Sequence, residues 1–195
     1  ISIVRVGGKH DMEKALLIVD YSNDFIADQG AMSCGAIGQA ADQVIVCLIQ
    51  QAVRDEDFIF ICNDEHDPND SFDPEKKLFP PHNQRGTWGA EIYGRTGELC
   101  RKLLAESHPR VCYLPKTRYS AFVGTPLELM LHARQVDRLT LVGVCTDICV
   151  LHTAIDAVYA GFQVTVPRDA CATPFEHGQD WALNHMQHCL NVRLI

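Results

Sequence analysis

The amino-acid sequence predicts an α/β fold: a single-domain, three-layer α/β/α arrangement around a central, mainly parallel six-stranded sheet. Three observations carry this. Apolar runs of strand length alternate with segments of helical period along the whole chain. The runs are continuously apolar rather than alternating, as in strands covered on both faces. At 195 residues, with 47% apolar and 22% charged residues, the chain has the size of one domain and enough apolar surface for a sizeable core.

The elements follow in order. Ala15–Val19 is an apolar run that stops at Asp20, the first strand. Residues 39–53 place Ala40, Val44, Cys47, Leu48 and Ala52 on one helical face. Phe58–Cys62 is the second strand, ending in Asn63 and Asp64. Residues 63–90 are rich in Asp, Pro, Asn and Gly and predict a long loop. A short helix is expected over 98–107, a third strand over 111–114, and a helix over 126–134 with Thr125 as its N-cap and Pro126 at its first position. Strand four is Leu139–Val142; a helix over 146–159 closes at Gly161, a C-cap candidate. Strand five (163–166), a helix (175–189) and strand six (192–195) complete the chain. Met12 stands just before the first strand, so residues 1–11 are expected to be an added or flexible extension, and 12–195 the domain.

Charge and cysteine usage narrow the function. The formal net charge is -8, and basic residues cluster only as Lys76–Lys77 and Arg101–Lys102, which argues against a nucleic-acid partner. No apolar run approaches the roughly 20 residues of a bilayer span, so no membrane partner is expected. The nine cysteines are odd in number and lack a compact framework spacing. They predict a reduced, cytoplasmic protein whose thiols are mostly small core residues.

In a parallel sheet of this kind, ligands sit beyond the carboxyl ends of the strands. The polar residues there are Asp20, Asp64 with His66, Lys116, and the segment Cys145–Cys149. Cys149 falls in the first turn of a helix, where partial positive charge and free N–H groups lower a thiol pKa and hold an oxyanion. Taken alone, Cys149 reads equally well as a packed apolar residue, and Cys145 is a rival nucleophile. Lys116 alone reads as a solvated charge, but beside a thiol it favours thiolate. Asp20 alone reads as a turn residue, but beside a thiol it serves as a proton carrier. Asp64 and His66 alternate along an extended segment and His82 reaches back across the loop, a donor set for zinc, iron or manganese. Asp67, Asp70, Asp73 and Glu75 are further donors in the loop. Among the remaining polar residues, Thr146 and Asp147 are expected to satisfy helix-terminal N–H groups, and His152 to pair with Asp156.

Ala15-Leu-Leu-Ile-Val-Asp20-Tyr-Ser-Asn-Asp-Phe25, Asp64-Glu-His66, Phe79-Pro-Pro-His82 with Gly86-Thr-Trp-Gly-Ala-Glu91, Lys116-Thr-Arg-Tyr-Ser-Ala-Phe122 and Gly143-Val-Cys-Thr-Asp-Ile-Cys149-Val-Leu-His-Thr-Ala154 occur in this order. The ordered set resembles the isochorismatase-like cysteine hydrolases, and within them the nicotinamidases, over essentially the whole chain from Met12. The resemblance implies a catalytic triad of Asp20, Lys116 and Cys149. It also implies a cis peptide between Val144 and Cys145, and an oxyanion hole from the N–H groups of Cys145 and Cys149. One divalent metal ion, zinc ahead of iron or manganese, is implied on Asp64, His66 and His82. Many members carry another His in this loop; none lies between His66 and His82 here, and a subgroup with a Glu points to Glu75 as fourth ligand. Asn83 stands where many members have Cys. The implied reaction is hydrolysis of nicotinamide to nicotinate and ammonia through a thioester, in NAD salvage. Phe25, Phe79, Tyr119 and Cys145 would contact the substrate, and a homo-oligomer, dimer or tetramer, is implied. Alternatives are a metal-free amidohydrolase of the same family, a thiol redox protein using Cys145 and Cys149, and an inactive binding module.

Overall fold

The computed structural model of the chain describes residues 12–195, so the expectation for residues 1–11 lies outside the described residues. Seven strands, β1 (Glu13–Val19), β2 (Phe58–Asp64), β3 (Val111–Lys116), β4 (Val136–Val144), β5 (Gln163–Val166), β6 (Cys171–Ala172) and β7 (Arg193–Leu194), form one sheet. Its order is β3-β2-β1-β4-β5-β7, and every pairing is parallel. The six expected strands are present. The seventh, β6, pairs with Gly143 and Val144 where β5 has already left β4, so β5 and β6 act as one interrupted strand beside β4.

The helices are α1 (Asn23–Ile26), α2 (Gly35–Arg54), α3 (Gly94–Ala105), α4 (Leu127–Ala133), α5 (Leu151–Tyr159) and α6 (Gly178–Leu190). Strand alternation assigns them to layers. On β1, Ala15, Leu17 and Val19 join the core cluster that holds α4, α5 and α6, while Leu16 and Ile18 join the one that holds α2 and α3. The result is the three-layer arrangement expected. Thr125 Oγ1 accepts the N–H of Leu127 at 3.2 Å, the capping bond predicted, although the helix starts one residue late.

Helix α2 qualifies the reading on membranes. It is 20 residues long and by length and composition alone passes as a span. Its apolar stripe (Gly38, Ala41, Ile45, Val46, Ile49, Ala52) is buried, with Ala41, Ile45, Ile49 and Ala52 packed in the core, whereas Gln39, Gln43 and Gln50 lie outside that stripe. One-sided burial is the pattern of a helix covering a sheet.

The chain order reverses between β1 and β4, which makes the crevice at their carboxyl ends the topological switch point. Register then delivers the polar residues. Val19 pairs with both Cys62 and Gly143, and Asp64 lies directly opposite Lys116. Gly143 is required here: its φ is +117°, and a Cβ would fall 1.9 Å from the Val19 carbonyl oxygen. We expect Gly143→Ala to force β1 and β4 apart, costing about 3 kcal/mol or more. Thermal melting should then fall by on the order of 5–10 °C; an unchanged melting temperature would refute this.

Candidate active site

Asp20 follows β1 with a left-handed φ of +52°. Its Oδ1 accepts the backbone N–H of Asp64 at 2.7 Å, which ties the ends of β1 and β2. Lys116 extends from the last position of β3 and is 2% exposed. Its ammonium lies 2.7 Å from Asp20 Oδ2 and 3.1 Å from Asp64 Oδ1, and it donates to the Arg118 carbonyl at 3.0 Å. The Cys149 sulfur is 3.9 Å from the same nitrogen. Cys149 sits on a π-helical turn, Thr146–Val150, that leads into α5. The peptide bond between Val144 and Cys145 is cis, as the resemblance implied. The three residues predicted as a triad therefore converge, fully buried, at the switch point.

Their electrostatics differ from the sequence expectation in one respect. The Cys149 thiol is pushed well above its ordinary value, because burial outweighs the Lys116 charge and Asp20 and Asp64 add to the rise. The helix start and Lys116 do not produce a resting thiolate. Asp20 is raised to about 6, by burial against the opposing pull of Lys116 and with Asp64 adding to the rise. Burial also acts to raise Asp64, but Lys116 and hydrogen bonds from His66 and His82 overcome it and hold this carboxyl well below the usual range. At neutral pH the resting pair is a thiol beside a carboxylate. Their surroundings thus set the acidities of the Asp20 and Asp64 carboxyls apart.

Beside this triad lies a second cluster. One donor atom each from Asp64, His66, Glu75 and His82 lies within 4.8 Å of all the others, and all four residues are buried. Nε2 of His66 is 2.8 Å from Asp64 Oδ2 and 3.8 Å from Glu75 Oε2; Nε2 of His82 is 3.7 and 3.9 Å from the same oxygens. Donors around a zinc ion at about 2.0–2.1 Å would be roughly 3.3 Å apart, so to take a small divalent cation the His66–Asp64 pair opens and the wider pairs draw in. His82 Nδ1 lies 2.8 Å from the Pro80 carbonyl, which can only accept, so Nδ1 holds the proton and Nε2 is free to ligate. Burial and Asp64 push Glu75 up to about 7. Glu75 thus stands with Asp64, His66 and His82, while Asp67 and Asp70 are exposed and Asp73 lies outside the set.

Asn83 is fully buried and acts as a clamp. Its Oδ1 accepts from Ser22 Oγ at 2.7 Å, its N–H donates to Asp24 Oδ2 at 2.7 Å, and its carbonyl accepts the His66 N–H at 3.0 Å. The loop bearing the cation donors is thereby fixed to the segment following Asp20. The space over Cys149 is about 10 Å³, lined by the expected Phe25, Phe79, Tyr119 and Cys145, and also by Met32 and Ile148, which the sequence reading missed. Glu75, Phe79 and His82 also line a larger cavity of about 290 Å³. Thr146 and Asp147 do not cap as expected: the Thr146 hydroxyl donates to Gln179 Oε1 at 2.6 Å, and buried Asp147 Oδ1 has no partner. Nδ1 of His152 contacts the Ile148 carbonyl at 2.7 Å in place of the expected partner Asp156. All nine cysteines are free.

Residues 14–194 match the model of the isochorismatase domain. The chain belongs to the isochorismatase family. It is 45% identical to an uncharacterized isochorismatase-family protein, PncA, of Bacillus subtilis, covering 94% of this chain and 99% of that one. A crystal structure of nicotinamidase/pyrazinamidase PncA from Bacillus subtilis matches with a TM-score of 0.90 at 45% identity, over 94% of this chain and 99% of that one. The pyrazinamidase/nicotinamidase of Streptococcus mutans UA159 matches at 0.90 and 44%, over 94% and 100%. A pyrazinamidase of Pyrococcus horikoshii in complex with zinc matches at 0.79 and 26%, over 94% and 98%.

Lys116 is the cation between two buried carboxylates. Its removal should cost about 3–5 kcal/mol. In Lys116→Ala, Asp20 and Asp64 both shift toward the protonated form, so the folded chain binds more protons than the unfolded one. The stability deficit should therefore grow as pH rises from about 4 toward neutrality. Urea unfolding at several pH values checks this; a deficit that shrank with rising pH would contradict the assignment.

Proposed function

We propose that the chain is a metal-dependent cysteine amidohydrolase that converts nicotinamide to nicotinate and ammonia, with a role in NAD salvage. The observation that carries the reading is that one side chain, Asp64, touches both centres: Oδ1 meets Lys116 and Oδ2 meets the donors of His66 and His82. A cation site is thus set one side chain from a buried thiol, as suits a substrate with a ring donor atom and an amide a few ångströms apart. The relatives titled nicotinamidase or pyrazinamidase, which match at 44–45% identity over nearly the full length, support the same substrate class.

The chain's own residues account for the proton traffic. Cys149 attacks the carboxamide carbon as its proton passes to Asp20, forming the C–S bond. N–H groups of Cys145 and Cys149 take the oxyanion. Asp20 returns the proton as the C–N bond breaks, releasing ammonia and leaving a thioester, which water hydrolyses to nicotinate. Lys116 stays cationic throughout, held well above its ordinary value by Asp20 and Asp64 against the pull of burial. Phe25, Phe79 and Tyr119 flank the ring. Asp64, His66, Glu75 and His82 would hold a divalent cation, zinc by analogy with the Pyrococcus horikoshii structure, which when bound would supply a Lewis-acid anchor for the pyridine nitrogen.

The space over Cys149 holds about one water, so the ring enters only as lining side chains move. Pyrazinamide, which also carries a ring nitrogen, is expected to be a substrate.

Ammonia release from nicotinamide is the direct test. Activity should vanish on chelation and return with zinc, iron or manganese; insensitivity to chelation would leave a cysteine hydrolase without the metal anchor. Cys149→Ala should abolish turnover while leaving the melting temperature within a few degrees, and nicotinate production by that variant would sink the nucleophile assignment. With Asp20 at about 6, and a nearby bound cation acting only to lower it, kcat/KM should fall on the acid side through a pKa no higher than about 6. Such a limb should persist when the metal is exchanged.

A further inference from the structure

Three aspartates punctuate the loop between the two histidines, and each accepts a backbone N–H two residues on. Asp67 Oδ1 takes Asn69 N–H at 2.8 Å, Asp70 Oδ1 takes Phe72 N–H at 2.8 Å, and Asp73 Oδ1 takes Glu75 N–H at 3.0 Å. This is the ordinary Asx turn, and for the exposed carboxylates of Asp67 and Asp70 it is the only hydrogen bond among the described residues. Asp73 differs. It is 4% exposed, and its second oxygen, Oδ2, lies 2.6 Å from Nδ1 of His66. The imidazole stands between this carboxylate and the cation donors, because the opposite nitrogen, Nε2, is the one that faces Asp64 and Glu75.

We propose that Asp73 is a positioning residue that prepares two of the four cation ligands at once without ligating the cation itself. Carboxylates face both ring nitrogens, Asp64 at Nε2 and Asp73 at Nδ1; a carboxylate can only accept, so when a cation takes the Nε2 lone pair, Asp73 keeps the remaining proton on Nδ1. Its other oxygen holds the start of the 3-10 turn Pro74–Lys77, which carries Glu75 into the cluster. One side chain therefore sets the tautomer of His66 and the position of Glu75. The assignment rests on the proposed cation site but not on the proposed substrate.

Asp73→Asn separates this role from turn formation. Asparagine caps an Asx turn as well as aspartate does. With its oxygen on the Glu75 N–H, its NH2 group faces His66 Nδ1 and must donate. The imidazole is then driven to carry its proton on Nε2, the tautomer that cannot ligate. The experiment measures Zn2+ affinity by competition with a chromophoric chelator, together with the visible spectrum of the Co2+-loaded protein. Asp73→Asn should bind Zn2+ about 10–100-fold more weakly and alter the Co2+ bands, while the melting temperature of the metal-free protein stays near wild type. Asp70→Asn, which touches no histidine, should match wild type in all three. Should Asp73→Asn not fold, Asp73→Ser still caps the turn but is too short to reach the imidazole, and the same loss is expected. Wild-type binding with Asp73→Asn within twofold of it would overturn the assignment alone. A wild-type chain that bound neither cation would overturn the cation site and this assignment with it.

Discussion

The site is organised by a single ammonium group buried between two carboxylates. Lys116 has no solvent to stabilise its charge, and Asp20 and Asp64 have none for theirs, so each depends on the others. Taking such charges out of water costs several kcal/mol per ion unless the geometry is close and the remaining valences are filled. The parallel register meets this demand. It sets Asp64 opposite Lys116 across β2 and β3, and carries Asp20 to the end of the neighbouring β1. The left-handed backbone at Asp20 and its bond to the Asp64 N–H complete the arrangement. One positive charge for two negative ones also leaves an imbalance. Asp64, with two imidazoles near it, is held ionised; Asp20, with less compensation, rises to about 6. Asp20 is thereby a base weak enough to surrender a proton at neutral pH.

The same imbalance explains why a cation cluster sits where it does. On the side away from Lys116, the buried carboxylates of Asp64 and Glu75 share the imidazoles of His66 and His82, and burial with Asp64 beside it raises Glu75 to about 7. A divalent ion would remove the imbalance. The position of the donors is fixed relative to the thiol through Asp64, and relative to the β1 end through the contacts of Asn83 with Ser22, Asp24 and His66. Loop residues acquire the precision of strand residues because their hydrogen bonds end on the sheet's carboxyl edge.

How much of this is legible in the sequence depends on the range of the forces involved. The strands are readable because an apolar run buried on both faces is a local signal, and Asp20, Lys116 and Cys149 are readable because they stand where those runs stop. Motif order across the chain supplies the cation donors Asp64, His66 and His82, and points to Glu75. What is not legible is whatever depends on partners far along the chain. The helix-start argument for Cys149 is correct locally, yet burial and two distant carboxylates reverse its sign. Thr146 turns to Gln179, a residue of α6. Asn83 shows no function until Ser22 and Asp24 are brought to it. Asp73 is the intermediate case: the Asp73–Pro74 pair announces a turn, but the imidazole on its second oxygen appears only on folding.

A neutral thiol and a nearly closed cavity belong together. A resting thiolate beside Lys116 would be the more reactive species, but it would need water or further positive charge to stabilise it, and the space over Cys149 admits about one water. The same exclusion that keeps the proton on sulfur also strengthens every electrostatic interaction made in the site. In the proposed reaction, deprotonation is deferred until a substrate carbonyl is present to receive the sulfur's electrons. At that point negative charge moves from sulfur to the carbonyl oxygen while the proton moves to Asp20, so no buried thiolate need accumulate without compensation. In this arrangement selectivity and protection of the thiol follow from one cause, the desolvation of Cys149 among Asp20, Lys116 and Asp64.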